Sequence, residues 1–153
     1  MIKTIEQWLT GKRLLIILTM AAAVWFSFTA VMTVLRYRLN YASAYDFGIF
    51  SQMYYYMDKG LSPLTTCERD GLLSHFAVHL SPVFYVLLPL YKLVPRPETL
   101  LVLQSLVVIS GMVPLCLLAR TFCFTRLQTL CFGLMYCFYP GVYGRMFLRI
   151  STK

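Results

Sequence analysis

Long stretches of this chain carry no charge, and its polar residues gather in short islands between them. The first apolar run extends from Leu14 to Leu35 and is interrupted only by Thr19, Ser27, Thr29 and Thr33. As a helix rising about 1.5 Å per residue it is roughly 33 Å long, enough to cross a hydrocarbon core of about 30 Å. Lys12 and Arg13 precede it, and Ala21, Ala22 and Ala23 lie at its middle rather than its end. It therefore reads as a signal anchor and not as a cleaved signal peptide. A second run reads as a transmembrane helix over 72–94, with kinks expected at Pro82 and Pro89, each of which leaves a carbonyl one turn earlier unpaired. Pro95, Arg96, Pro97 and Glu98 make a tight connection to a third span over 99–118, so spans two and three form a hairpin. A fourth segment, 127–143, follows Arg126 and is broken by Pro140 and Gly141.

Residues 36–71 interrupt this series and hold Asp46, Asp58, Glu68 and Asp70, four of the six acidic residues. Inside this stretch Tyr45 to Met57 is a run of aromatics and methionines with polar breaks at Asp46, Ser51 and Gln52. It is too short to span and too apolar to float, which predicts a helix near 45–57 lying at the membrane interface. The expected fold class is all-α, with about four polytopic membrane helices and that interfacial helix in the first outer loop. Residues 1–13 form a cytoplasmic N-terminus and 144–153 a basic tail.

Composition supports the bilayer as solvent. The chain is 59% hydrophobic and 13% charged, whereas a soluble domain carries about 25% charged residues. A net charge of +8 raises the question of nucleic acid, but the Lys and Arg residues are spread thinly and form no basic stripe, so no nucleic-acid partner is expected. Lys3, Lys12, Arg13, Lys92, Arg96, Arg145, Arg149 and Lys153 fall on one side of the expected spans; Arg36, Arg38, Lys59, Arg69, Arg120 and Arg126 fall on the other. With most weight on the flanks of the first span, the N-terminus is expected in the cytoplasm and 36–71 outside a multi-pass plasma-membrane protein. Cys67, Cys116, Cys123, Cys131 and Cys137 have no metal-ligand spacing, and four of them lie in or beside apolar runs, as inert thiols do.

The residues that could carry chemistry are few. Asp46, among aromatics just past the first span, is either a solvated interfacial residue or a carboxylate serving as general base or metal contact in a pocket open to the outer face. His75 and His79, four residues apart, are expected on one face of the second helix near its outer end. They could contact a metal, bind a phosphate or sugar hydroxyl, or simply pack at the interface, and Glu68 and Asp70 are close enough in sequence to join them. The pattern names no set of metal ligands and no cofactor, and a divalent metal stays open. Gln104, within an apolar span, suits a helix–helix hydrogen bond better than a ligand contact.

Three strings carry a resemblance: Tyr45-Asp46-Phe47-Gly48-Ile49-Phe50-Ser51-Gln52, Thr65 to Asp70, and His79-Leu80-Ser81-Pro82 followed by Leu88-Pro89-Leu90-Tyr91. Together with Gln104 they resemble the bacterial polytopic membrane family named domain of unknown function 2079, from about residue 14 to about residue 141. That family looks related to the GT-C glycosyltransferases, multispan enzymes that transfer a sugar from a lipid-phosphate donor at the outer membrane face. The resemblance implies a catalytic role for Asp46, substrate-binding roles for His79, His75, Glu68, Asp70 and Gln52, and a polyprenyl-phosphate sugar as partner beside the lipid bilayer. Family members are several times longer, and the tail after Tyr139-Pro140-Gly141 no longer resembles them, so the chain is expected to be an N-terminal or frameshifted fragment, inactive alone. The alternative expectation is a small membrane scaffold or transport-accessory protein whose polar loop binds a partner.

Overall fold

The computed structural model describes residues 2–40, 45–69 and 71–139. Their order is α1 (Ile2–Trp8), α2 (Gly11–Arg38), α3 (Tyr45–Asp58), β1 (Leu64–Thr65), β2 (Leu73–Ser74), a 3₁₀ turn (His75–Ala77), α4 (Val83–Leu93), α5 (Pro97–Ser110), α6 (Met112–Thr121) and α7 (Arg126–Phe138). Among the described residues the protein is all-α apart from one two-residue antiparallel ladder that pairs Leu64 with Ser74 and Thr65 with Leu73.

Among the described residues two stretches are long and apolar enough to cross a membrane: Gly11–Arg38, and Pro97–Thr121, which comprises α5 and α6. Only 22% and 28% of their most apolar windows are buried within the protein, so the larger part of each faces outward and needs an apolar solvent. In α2 the polar exceptions satisfy themselves. The hydroxyls of Ser27, Thr29 and Thr33 donate to the carbonyls of Ala23, Trp25 and Thr29 at 2.9, 2.9 and 2.8 Å, the back-bonding that lets Ser and Thr sit in a membrane helix. Gly111 separates α5 from α6. Pro114, which lacks an N–H, lies in the first turn of α6, where no intrahelical donor is lost.

The chain forms two compact units, Met1–Thr33 with Gln104–Lys153, and Val34–Leu103. In the first, Leu9, Leu14, Leu18, Ile109, Met112 and Cys137 make the core. Gly133 admits the Leu18 side chain at close range, and Gly111 leaves room for the Tyr136 hydroxyl, which donates to the carbonyl of Val108. Arg126 donates to the carbonyl of Leu9 at 3.3 Å, and Arg13 donates to the carbonyl of Trp8 at 2.6 Å while covering its ring. Between α6 and α7 the chain turns through Cys123 at φ 55°, with Phe124 N–H bonded to Ala119 and Cys123 N–H to Arg120, a Schellman ending made without glycine. Thr125 and Gln128 then form a capping box that starts α7.

The expected helix over 72–94 is not what forms. Residues 73–77 are strand and 3₁₀ turn, and the helix begins only at Val83, with Pro82 as its N-cap rather than as a kink. The residue before a proline resists the helical region, and proline suits a helix start. Pro89 is the only proline left inside α4. That helix has 11 residues, about 16 Å of rise, well short of a hydrocarbon core of about 30 Å. The third expected segment, 99–118, lies within α5 and α6; within 127–143 a helix of 13 residues forms, Arg126–Phe138, and positions 140–153 fall outside the described residues.

Candidate functional site

The second unit is organised around α3. Ile49, Met53, Tyr54 and Met57 form its buried face, spaced as helix periodicity requires. Met53, Tyr54 and Met57 join Tyr91 and Leu103, with Phe50, Phe84, Leu87, Leu88 and Leu100 packed against them. Tyr54 lies fully inside, and its hydroxyl donates to the carbonyl of Phe84 at 3.1 Å. Burial disfavours its phenolate and pushes the Tyr54 pKa up to about 12. The helix ends in a Schellman motif at Gly60, φ 75°, where Leu61 N–H bonds Tyr56 and Gly60 N–H bonds Met57. The chain then reverses into the small hairpin. At the other end of α3 the Phe47 ring packs edge-on against Tyr37 of α2 at 5.2 Å.

Gln52 stands on α3 where the hairpin meets the helix. Its amide oxygen accepts from Thr66 N–H at 2.8 Å and from the Thr65 hydroxyl at 3.2 Å, with Cys67 Sγ at 3.5 Å. Its amide nitrogen donates to the Thr66 hydroxyl at 3.0 Å. Thr65, fully buried, accepts from Cys67 N–H at 3.1 Å. One side chain thus supplies the hydrogen bonds that a longer ladder would otherwise provide.

Beyond Cys67 the loop places Glu68 against His75, with Oε1 2.9 Å from Nδ1 and side chains only 8% and 5% exposed. The His75 backbone N–H is bound to Pro63 at 2.8 Å, and His79 N–H returns to the His75 carbonyl at 2.8 Å. The rings of Phe50 and Phe84 each lie 5.6 Å from the His75 ring, and the His79 ring lies at 5.7 Å. These apolar walls strengthen the electrostatics of the pair by excluding water. Glu68 Oε2 is buried and has no hydrogen-bond partner; Ser51 Oγ, next to Gln52, is in the same condition.

Glu68, His75, His79 and Gln52, singled out from the sequence, are therefore brought into one neighbourhood. The geometry differs from that expected: His75 opens a 3₁₀ turn and His79 lies two residues beyond its end, rather than both on a long helix, with His75 buried and His79 exposed. Asp46 is exposed on the first turn of α3, one turn before Phe50 on the same face. Asp70 lies outside the described residues. Gln104 is exposed, and the fully buried polar position beside it is Ser105. Ser51, Thr65, Thr66 and Cys67 are participants that periodicity did not disclose; the only local signal was their place in the polar stretch 36–71. Among the described residues no three of His, Cys, Asp and Glu gather as a metal site would require.

No curated protein and no solved structure matches the chain. A family model described as "Predicted membrane protein (DUF2079)" matches residues 35–148, reaching into the tail that was expected to depart from the family. With apolar helices of spanning length and a match over most of its residues, this integral membrane protein belongs to the DUF2079 family.

Proposed function

We propose that this chain provides the outer-face acidic site of a GT-C-like glycosyltransferase, with Asp46 as the catalytic carboxylate and a polyprenyl-phosphate sugar as donor. The supporting observation is the concentration of polar chemistry in one place. In a chain dominated by apolar helices, the Gln52 clamp and the buried Glu68–His75 pair are built onto the helix whose first turn carries Asp46. Asp46 is exposed, as a base that meets a substrate must be, and it lies in the first turn of the helix that comes next after α2 in the chain. In this reading the N-terminus is cytoplasmic, α2 crosses the plasma membrane, and α3 rests at its outer border. Gln52, Glu68, His75 and His79 shape the substrate side of the site, while Asp46 takes the proton of the acceptor nucleophile as the sugar leaves its phosphate.

The test is sugar transfer in membranes by a longer DUF2079 relative carrying Asp46→Asn at the matching position, with a radiolabelled polyprenyl-phosphate sugar as donor. General-base loss predicts a fall of about 100-fold or more with donor binding preserved. Undiminished transfer removes Asp46 from catalysis.

A further inference from the structure

From the unfilled oxygen at Glu68 we infer a subsite for a saccharide hydroxyl. Buried polar groups are nearly always paired, and an orphaned charged acceptor is among the costlier exceptions. Glu68 meets His75 through Oε1, yet Oε2 is enclosed and unmatched in a side chain that is 8% exposed. An ionised carboxylate only accepts, so the missing partner is a donor. A donor phosphate, which brings negative charge and acceptor oxygens of its own, does not supply one.

The donor could be a cation or a hydroxyl. A divalent metal prefers several ligands, and the described residues offer no third His, Cys, Asp or Glu to join Glu68 and His75. A hydroxyl needs only the one acceptor. Beside the pair, Phe50 and Phe84 provide apolar rings of the kind that meet the C–H face of a pyranose. Exposed Thr66, Arg69 and His79 border the pair in sequence or space and mark its solvent side. His75, bonded to Oε1, keeps the carboxylate oriented, so it is a positioning residue for Oε2.

The choice of a saccharide rests on the glycosyltransferase reading; the need for a donor at Oε2 does not. The chain has two histidines, so imidazole NMR of the full chain in nanodiscs gives two ring systems, and His75→Gln assigns them. Titration with methyl glycosides of glucose, galactose, mannose and N-acetylglucosamine should shift the His75 signals saturably with at least one of them. Glu68→Gln, which keeps size and can still bond His75, should weaken that binding by about 10-fold or more. Asp46→Asn should leave it unchanged while abolishing transfer in the relative. A water cross-peak at the pair with no glycoside response, or equal binding by Glu68→Gln, overturns the subsite. Glycoside binding without transfer by any relative overturns the enzyme reading and leaves the subsite standing.

Discussion

The two compact units of this protein solve the same problem, stabilising a short chain, with opposite chemistry. Around Leu9, Leu14, Leu18, Ile109, Met112 and Cys137 the contacts are almost wholly apolar, and residues such as Leu15, Ile16, Met20, Val24 and Val31 point outward, exposed. In lipid those outward residues lose nothing, and packing rather than the hydrophobic effect holds the helices together. Around α3 the reverse holds: Gln52, Thr65, Thr66, Glu68 and His75 fasten an irregular loop by specific hydrogen bonds. Irregular backbone of this kind survives only where its polar groups are satisfied by protein or water, so it belongs at the membrane border or in a cavity. Fit governs one unit, and polar pairing the other.

The largest expected effect comes from breaking the pairing. His75→Ala leaves the Glu68 carboxylate buried without a counterpart, a loss of about 3–5 kcal/mol in local stability. The alkylation rate of half-buried Cys67 in nanodiscs, followed by peptide mass spectrometry, reads that opening directly. A loss of about 3 kcal/mol accelerates it by about 100-fold. His75→Phe combined with Glu68→Leu, removing both polar partners together, should restore most of the protection. Unchanged alkylation in His75→Ala would remove the pair from the forces that hold the loop.

The apolar unit is tested by overfilling. A methyl group at Gly111 would strike the Tyr136 hydroxyl and crowd the Val108 carbonyl. Gly111→Ala should therefore cost about 1–3 kcal/mol in an SDS unfolding titration of the reconstituted chain, with no change in Cys67 alkylation. An equal effect on both readouts would dissolve the contrast between the units.

The smallest effect concerns Tyr54. Its folded pKa, about 12, stands above an unfolded value of about 10. Burial favours the neutral phenol, so its contribution is whole below pH of about 10 and declines as pH rises from there toward about 12. Tyr54→Phe should lose about 1 kcal/mol at neutral pH, through the bond to Phe84, and flatten the alkaline limb of a pH series of thermal unfolding. An identical alkaline limb in the variant would show that another group governs it.

The spans and the α3 helix were legible because they rest on nearest-neighbour pattern. An uncharged run from Leu14 to Leu35 has one favourable environment, and the recurrence of Ile49, Met53 and Met57 has one helical face. The segment 72–82 misled for the same reason: Leu72, Leu73, Phe76, Val78 and Leu80 raise local hydropathy, which suggests a continuous helix. The outcome there follows from Pro63 accepting the His75 N–H and from Glu68 meeting the His75 ring, contacts that reach back beyond the segment's own helical neighbours. Gln52 was visible as a polar break, yet its task is set by residues 13 to 15 positions later.

Sequence by itself determined that this is an apolar, helical membrane protein with its polar chemistry concentrated between the first span and α4, because solvent preference sums residue by residue. Only the tertiary structure decided which polar groups are buried together, that His75 rather than His79 takes the carboxylate, and that one oxygen of Glu68 is left over. Pairing depends on distance and direction in space, and neither is written in the local order of residues.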